Sequence, residues 1–151
     1  MNKKIIIHFY IISLFFLIAS CSSQNDLLNQ DYVIKGETVY INNCINCHGV
    51  NLQGQKGWEN ELDADGHRLA PPLNGTGHTW HHPPELLSQI IKYGLNSLDP
   101  GYEGKMIGNK NLSDKDIEYI LEYIKSYWPD EILINCIFLG TVNQQYGGGQ
   151  K

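Results

Sequence analysis

The sequence predicts an all-α domain, and three observations carry that prediction. Apolar residues recur at helical spacing in three separate stretches, near 34–43, 84–93 and 113–128. The segments between them are rich in Gly, Pro and Asn and almost without periodicity. At the end of the first stretch stands Cys44-Ile45-Asn46-Cys47-His48, around which the rest of the chain is organised. A chain of 151 residues with 42% hydrophobic content is one domain by length, with enough apolar mass for a small core. Its formal charge of −5 and its lack of a basic run argue against a nucleic-acid partner. They fit a domain that meets its partner through a local charge pattern.

Residues 1–20 read as an export signal. Lys3 and Lys4 form a positive start, and Ile5 to Ile18 an apolar run interrupted by His8 and Ser13. That run is short for a membrane-spanning helix. Ile18-Ala19-Ser20-Cys21 resembles the lipobox of bacterial lipoproteins. The resemblance implies a diacylglycerol on the Cys21 thiol, cleavage before it, and anchorage to a membrane on the extracytoplasmic side of a bacterial envelope. The alternative is ordinary cleavage near Ser20, leaving a free thiol. Residues 21–31 are mostly Ser, Gln, Asn and Asp and read as a flexible tether. The main domain is expected at 32–129, and 130–151 as a C-terminal extension.

The pentapeptide has the pattern C-x-x-C-H. Two thiols at that spacing can add to the two vinyl groups on one edge of a porphyrin, and the following histidine can ligate the iron. The cofactor expected is one covalent haem c. A redox C-x-x-C wants a βαβ setting, which is absent. A structural zinc site wants a second Cys pair, and only the distant Cys21 and Cys136 remain.

The first helix carries Ile34, Val39, Tyr40 and Ile41, with Gly36 inside it. A glycine there costs about 1 kcal/mol against alanine, which suggests close packing of another element. Gly36 lies eight residues before Cys44, and Tyr40 four before it. In these features the chain resembles the class I cytochromes c, where such a glycine and aromatic meet a C-terminal helix. That likeness implies about three to five short helices wrapped around one haem, with long loops.

The loop from Gly49 to His82 comes next. Ala70-Pro71-Pro72-Leu73 stands where the family carries its P-x-L element. The likeness implies that the Pro71 carbonyl accepts the Nδ1–H of His48; a rigid turn is the other reading. The separation is longer than in short cytochromes, so residues 53–68 read as an insertion. His78-Thr79-Trp80-His81-His82 places three histidines in five residues. They could bind a second metal, face a propionate or lie on the surface, with Trp80 lining the haem pocket.

Pro83 and Pro84 suit a helix start, Leu86, Leu87, Ile90 and Ile91 form its stripe, and Gly94 its stop. Met106 is the one methionine after the initiator and lies in a glycine-punctuated loop. The family places its axial methionine here, which implies Met106 as sixth ligand, although Ile107 stands where proline often follows. The rival is His78, His81 or His82. Ser113, Asp114 and Asp116 open the last helix, Ile117, Ile120, Leu121 and Ile124 form its stripe, and Trp128-Pro129 closes it. Ile120 and Tyr123 are the expected contacts of Gly36 and Tyr40. The apolar stretch 132–139 reads as an appended segment or strand, and Cys136 as a buried free thiol or an intermolecular disulfide.

The function expected is a membrane-tethered monohaem cytochrome that passes single electrons between redox partner proteins and is itself no enzyme. The alternative is a haem subunit or sensor with an open or histidine-held sixth site, with or without a second metal at the histidine loop.

Overall fold

The first helix, α1, spans Gln30–Asn43 in the computed structural model, which describes residues 28–102 and 104–134. The Asn29 side chain caps it, accepting the Tyr32 N–H at 3.3 Å. The helix thus begins two residues inside the stretch read as tether, and Leu28 already packs on the core. Polar composition hid a capping asparagine and the first helical turn. The leader, Cys21, Cys136 and the tail from 135 lie outside the described residues.

After a break at Cys44 the chain forms one more turn, α2, at Ile45–His48. A long irregular stretch leads to α3, Pro84–Tyr93, which Pro83 and Pro84 start and Gly94 ends. α4 spans Asp114–Lys125 and opens with a capping box: Ser113 Oγ accepts the Asp116 N–H, and the Asp116 carboxylate accepts the Ser113 N–H at 2.9 Å. Among the described residues the regular elements are all helical, and Leu62 and Arg68 form one isolated bridge. None of the described helices is long and apolar enough to cross a membrane.

The core lies where α4 crosses α1. Ile117, Ile120, Leu121, Tyr123 and Ile124 are buried on one face of α4, as the helical spacing requires. Each such side chain contributes about 1.5–3 kcal/mol when fully buried. On α1 the buried residues are Gly36 and Tyr40. A Cβ on Gly36 would lie 2.0 Å from the Tyr119 carbonyl oxygen and 2.8 Å from Tyr123 Cβ, so only glycine permits this crossing. The Tyr40 and Tyr123 rings meet at 5.3 Å, and Tyr32 sets its edge on Tyr119 at 4.8 Å.

The end of the domain differs from the sequence reading. α4 stops at Lys125, and Trp128 is buried in the turn beyond it. Its indole Nε1–H donates to the Leu73 carbonyl at 2.8 Å, tying the C-terminal side of the core to the long loop. Residues 130–134 are helical, not a strand. Leu133 is 1% exposed and Ile132 packs on the core, so the described part of the extension belongs to the domain. Pro129 ends one helical segment and serves as the start of the next, since its carbonyl accepts the Ile132 and Leu133 N–H groups.

Candidate haem-binding site

α1 delivers Cys44 to the site as the residue that caps its C-terminus, with its N–H on the Tyr40 carbonyl. The Cys44 carbonyl accepts the N–H of Cys47 at 3.2 Å and of His48 at 3.0 Å. Cys44, Cys47 and His48 therefore stand at i, i+3 and i+4 of one turn and share its face. Gly49, at φ 80, turns the chain away directly after the histidine. The Tyr40 hydroxyl donates to the Gly49 carbonyl at 2.7 Å, so the residue that packs on α4 also fixes this turn.

The His48 ring has a defined orientation. Its Nδ1 lies 2.9 Å from the Pro71 carbonyl oxygen, an acceptor only, so Nδ1 carries the proton and donates. The Nε2 lone pair is left for a metal. Burial pushes the imidazole below its ordinary pKa, and the Pro71 bond opposes this more weakly. The ring is thereby held in the neutral form that ligates. Burial, and then the neighbouring Cys47, push the Cys44 thiol up to about 11. That thiol is neutral at physiological pH, as the thioether it can become would be.

The loop that carries Pro71 is fixed from both sides. Gln55 N–H donates to the Ala70 carbonyl at 2.9 Å, and Ala70 N–H donates to Gln55 Oε1 at 2.7 Å. Leu73 N–H donates to the Leu52 carbonyl at 2.8 Å. Leu52 is wholly buried and holds φ 55, unusual for a branched residue. Gly54 permits the close approach, since a Cβ there would fall 2.6 Å from the Ala70 oxygen. Leu52 lies in the long loop, and Gly54 and Gln55 in the stretch 53–68 that reads as an insertion. Only the glycine gave a signal, and it did not say what approached it.

Met106 comes from a separate loop and is half-buried. Its carbonyl accepts the Leu95 N–H at 3.0 Å, and its N–H donates to the Tyr102 hydroxyl at 3.3 Å. Gly94 and Gly108 pack backbone on backbone: a Cβ on Gly108 would lie 2.3 Å from the Gly94 nitrogen. The loop after Met106 is thereby pinned to the end of α3. Trp80 is partly buried against the core, with its Nε1–H on the Gly77 carbonyl at 3.1 Å and its ring stacked on His81.

The three histidines do not converge. His81 stacks on Trp80, while His78 lies over Trp58 and sets its ring against His82 at 5.5 Å. Among the described residues, the trio whose ligand atoms all come within 4.8 Å is instead Asp63, Asp65 and His67. Nor do Cys44, Cys47 and His48 close on a single point, as a zinc site would need. Two thiols and one oriented imidazole along one turn fit the edge and the iron of a porphyrin.

Comparison with known proteins agrees with this geometry. The family model described as Cytochrome c matches residues 33–128. The cbb3-type cytochrome c oxidase subunit FixP of Bradyrhizobium sp. (strain ORS 278) is 30% identical over 96 residues. The match covers 61% of this chain and 29% of that protein, so the chain spans less than a third of its relative. No solved structure matches the chain significantly. With its helical fold and its C-x-x-C-H turn, the chain belongs to the cytochrome c family and is an electron-carrying protein with covalent haem c.

Proposed function

We propose that the chain is a monohaem carrier of single electrons, anchored through a lipid on Cys21 to the extracytoplasmic side of a bacterial membrane. Cys44 and Cys47 would supply the two thioethers that hold the haem, and His48 nitrogen and Met106 sulfur would ligate its iron. Pro71 orients His48, and Trp80 forms part of the pocket wall. When bound, the haem supplies a one-electron Fe(III)/Fe(II) couple. The protein's part would be to hold His48 and Met106 in place, so that little reorganises as an electron passes. A thioether ligand favours the reduced state and raises the potential.

The observation that carries this reading is the His48 Nδ1 to Pro71 carbonyl bond of 2.9 Å. It aims a neutral imidazole from the same turn that presents both thiols. The experiment is an optical spectrum of the oxidised holoprotein, compared with Met106→Ala and with a variant lacking His78, His81 and His82. The Met-to-iron charge-transfer band should be present in the wild type and in the histidine variant, and absent from Met106→Ala. Survival of the band in Met106→Ala would refute the ligand assignment.

A second reading is favoured by the name of the relative, an oxidase subunit. The domain would then pass electrons within a larger oxidoreductase complex. Pull-down from native membranes, with the anchor intact, separates the two: a stoichiometric enzyme partner supports the subunit, a lone cytochrome the carrier.

A further inference from the structure

The insertion at 53–68 reaches the Met106 loop through one residue, Lys105. Its ammonium lies 2.5 Å from Asp63 Oδ2 and 3.0 Å from Asp65 Oδ2, forty residues away in sequence. The carboxylates are presented by a stiff turn. Asp63 Oδ1 accepts the N–H groups of Asp65 at 3.0 Å and His67 at 2.9 Å, while Asp63 N–H donates to the His67 carbonyl at 2.9 Å. The Asp63 side chain is half-buried, while Asp65 and the Lys105 ammonium are exposed. Little reorganisation of the turn is needed to receive the ammonium.

Apart from Lys105, the Met106 loop is fastened to itself, to the end of α3, and to the end of α1, where Asn109 Nδ2–H donates to Asn43 Oδ1 at 2.9 Å. The stretch after Met106 is bound to the end of α3, through Asn109 N–H on the Ile91 carbonyl at 2.9 Å and the Gly94–Gly108 contact. Residues 98–102 bond among themselves, to Leu95 and, through the Tyr102 hydroxyl, to the Met106 N–H. Among the described residues, Lys105 gives this side of the loop its bond to a distant part of the chain. The insertion in turn adjoins the segment that holds Pro71, through Gln55 and Ala70.

We propose that Asp63 and Asp65 are positioning residues for the sixth ligand: through Lys105 they hold the Met106 loop shut against the haem. The inference rests on Met106 being that ligand. An exogenous ligand can bind iron only after the sulfur has left, so its apparent affinity scales with the fraction of loop that is open. A clamp that stabilises the closed loop lowers that fraction without touching the iron.

The test is imidazole titration of the oxidised holoprotein, followed by loss of the Met-to-iron band. Asp63→Asn/Asp65→Asn and Lys105→Gln should each bind imidazole about three- to tenfold more tightly than wild type, the range expected for one or two exposed carboxylate–ammonium pairs. The combined variant should bind no more tightly than either, because both remove the same clamp. Raising the salt concentration should narrow the gap between wild type and variants. General destabilisation would shift the urea midpoint without this overlap between Asp and Lys variants. If the wild type shows the band but the variants bind imidazole as it does, or their effects add, the clamp is wrong while Met106 ligation stands. If the wild type lacks the band, both fall.

Discussion

Replacing Gly36 by Ala tests the contact on which the fold turns. In an isolated helix the change would be favourable by about 1 kcal/mol. Here the new Cβ would sit 2.0 Å from the Tyr119 oxygen, 2.6 Å from the Tyr119 carbonyl carbon and 2.8 Å from Tyr123 Cβ. An ordinary carbon–oxygen contact is about 3.3–3.6 Å, so the helices must part by roughly 1 Å or more. The obstacle is backbone and cannot swing aside as a flexible side chain would. Overpacking of this kind costs about 1–3 kcal/mol, and a gap of about 1 Å forfeits up to half of the dispersion contact along the seam. Tyr40 and Ile120, both at 0% exposure, and Tyr123 line that seam. Set against the propensity gain, overpacking leaves a net loss of up to about 2 kcal/mol, to which the forfeited dispersion contact adds. Equilibrium urea unfolding of the holoprotein, followed by circular dichroism, should place the midpoint lower by about 1 M for a typical slope. The disturbance should reach the site, because Tyr40 also holds Gly49 and α1 delivers Cys44. A Gly36→Ala protein as stable as wild type, or more so, would refute the close crossing of α1 and α4.

The proposed attachment and anchor can be tested by substitution too. The Cys44→Ala/Cys47→Ala double variant has no thioether to offer, so acid-acetone extraction should remove any haem it binds; haem that stays on the protein would contradict the attachment reading. Cys21→Ser should release the domain from membranes with its haem spectrum unchanged, and a variant that still partitions wholly into detergent would show another anchor.

The parts legible in the sequence are those written in local patterns. C-x-x-C-H gave the haem turn, because its chemistry fixes residue types at adjacent positions. The α4 stripe was legible because a helix surface repeats along the chain, and the Gly36–Tyr40 pair because of the resemblance to the class I cytochromes c. Contacts between residues far apart in number were legible where the family resemblance implied them, as for Pro71 with His48 and for Tyr40 with Tyr123, and not elsewhere. Gln55 and Leu52 hold the Pro71 loop through backbone groups, which every residue carries. Asn29 looked like tether, because a capping asparagine differs from a linker asparagine only in having a helix after it. Leu133 looked like an extension, because one buried side chain after Pro129 leaves no period to read. The insertion looked like excess length, although its Asp63 and Asp65 meet Lys105.

That last contact has a pH signature whose sign can be worked out. The Lys105 ammonium first, and then the His67 N–H, hold the Asp63 carboxyl down at about 2 against an ordinary 3.8. A carboxylate with a folded-state pKa below its unfolded one contributes stability that is fully present above the unfolded value. The contribution is lost as pH falls through the folded one. The window is therefore from about 4 down to about 2. Asp63→Asn keeps an oxygen for the Asp65 and His67 N–H groups, and removes the charge and the acceptor that face Lys105. Wild type should thus be the more stable of the two at pH 6, with the difference shrinking below pH 4 and nearly gone by pH 2. Acid effects elsewhere, such as at Asp116, whose carboxyl is lowered by the Ser113 hydroxyl, act on both proteins alike and cancel in the comparison. Paired urea titrations at several pH values measure it. A difference that stays constant from pH 6 to pH 2 would show that the effect of the substitution is not the loss of a charge facing Lys105.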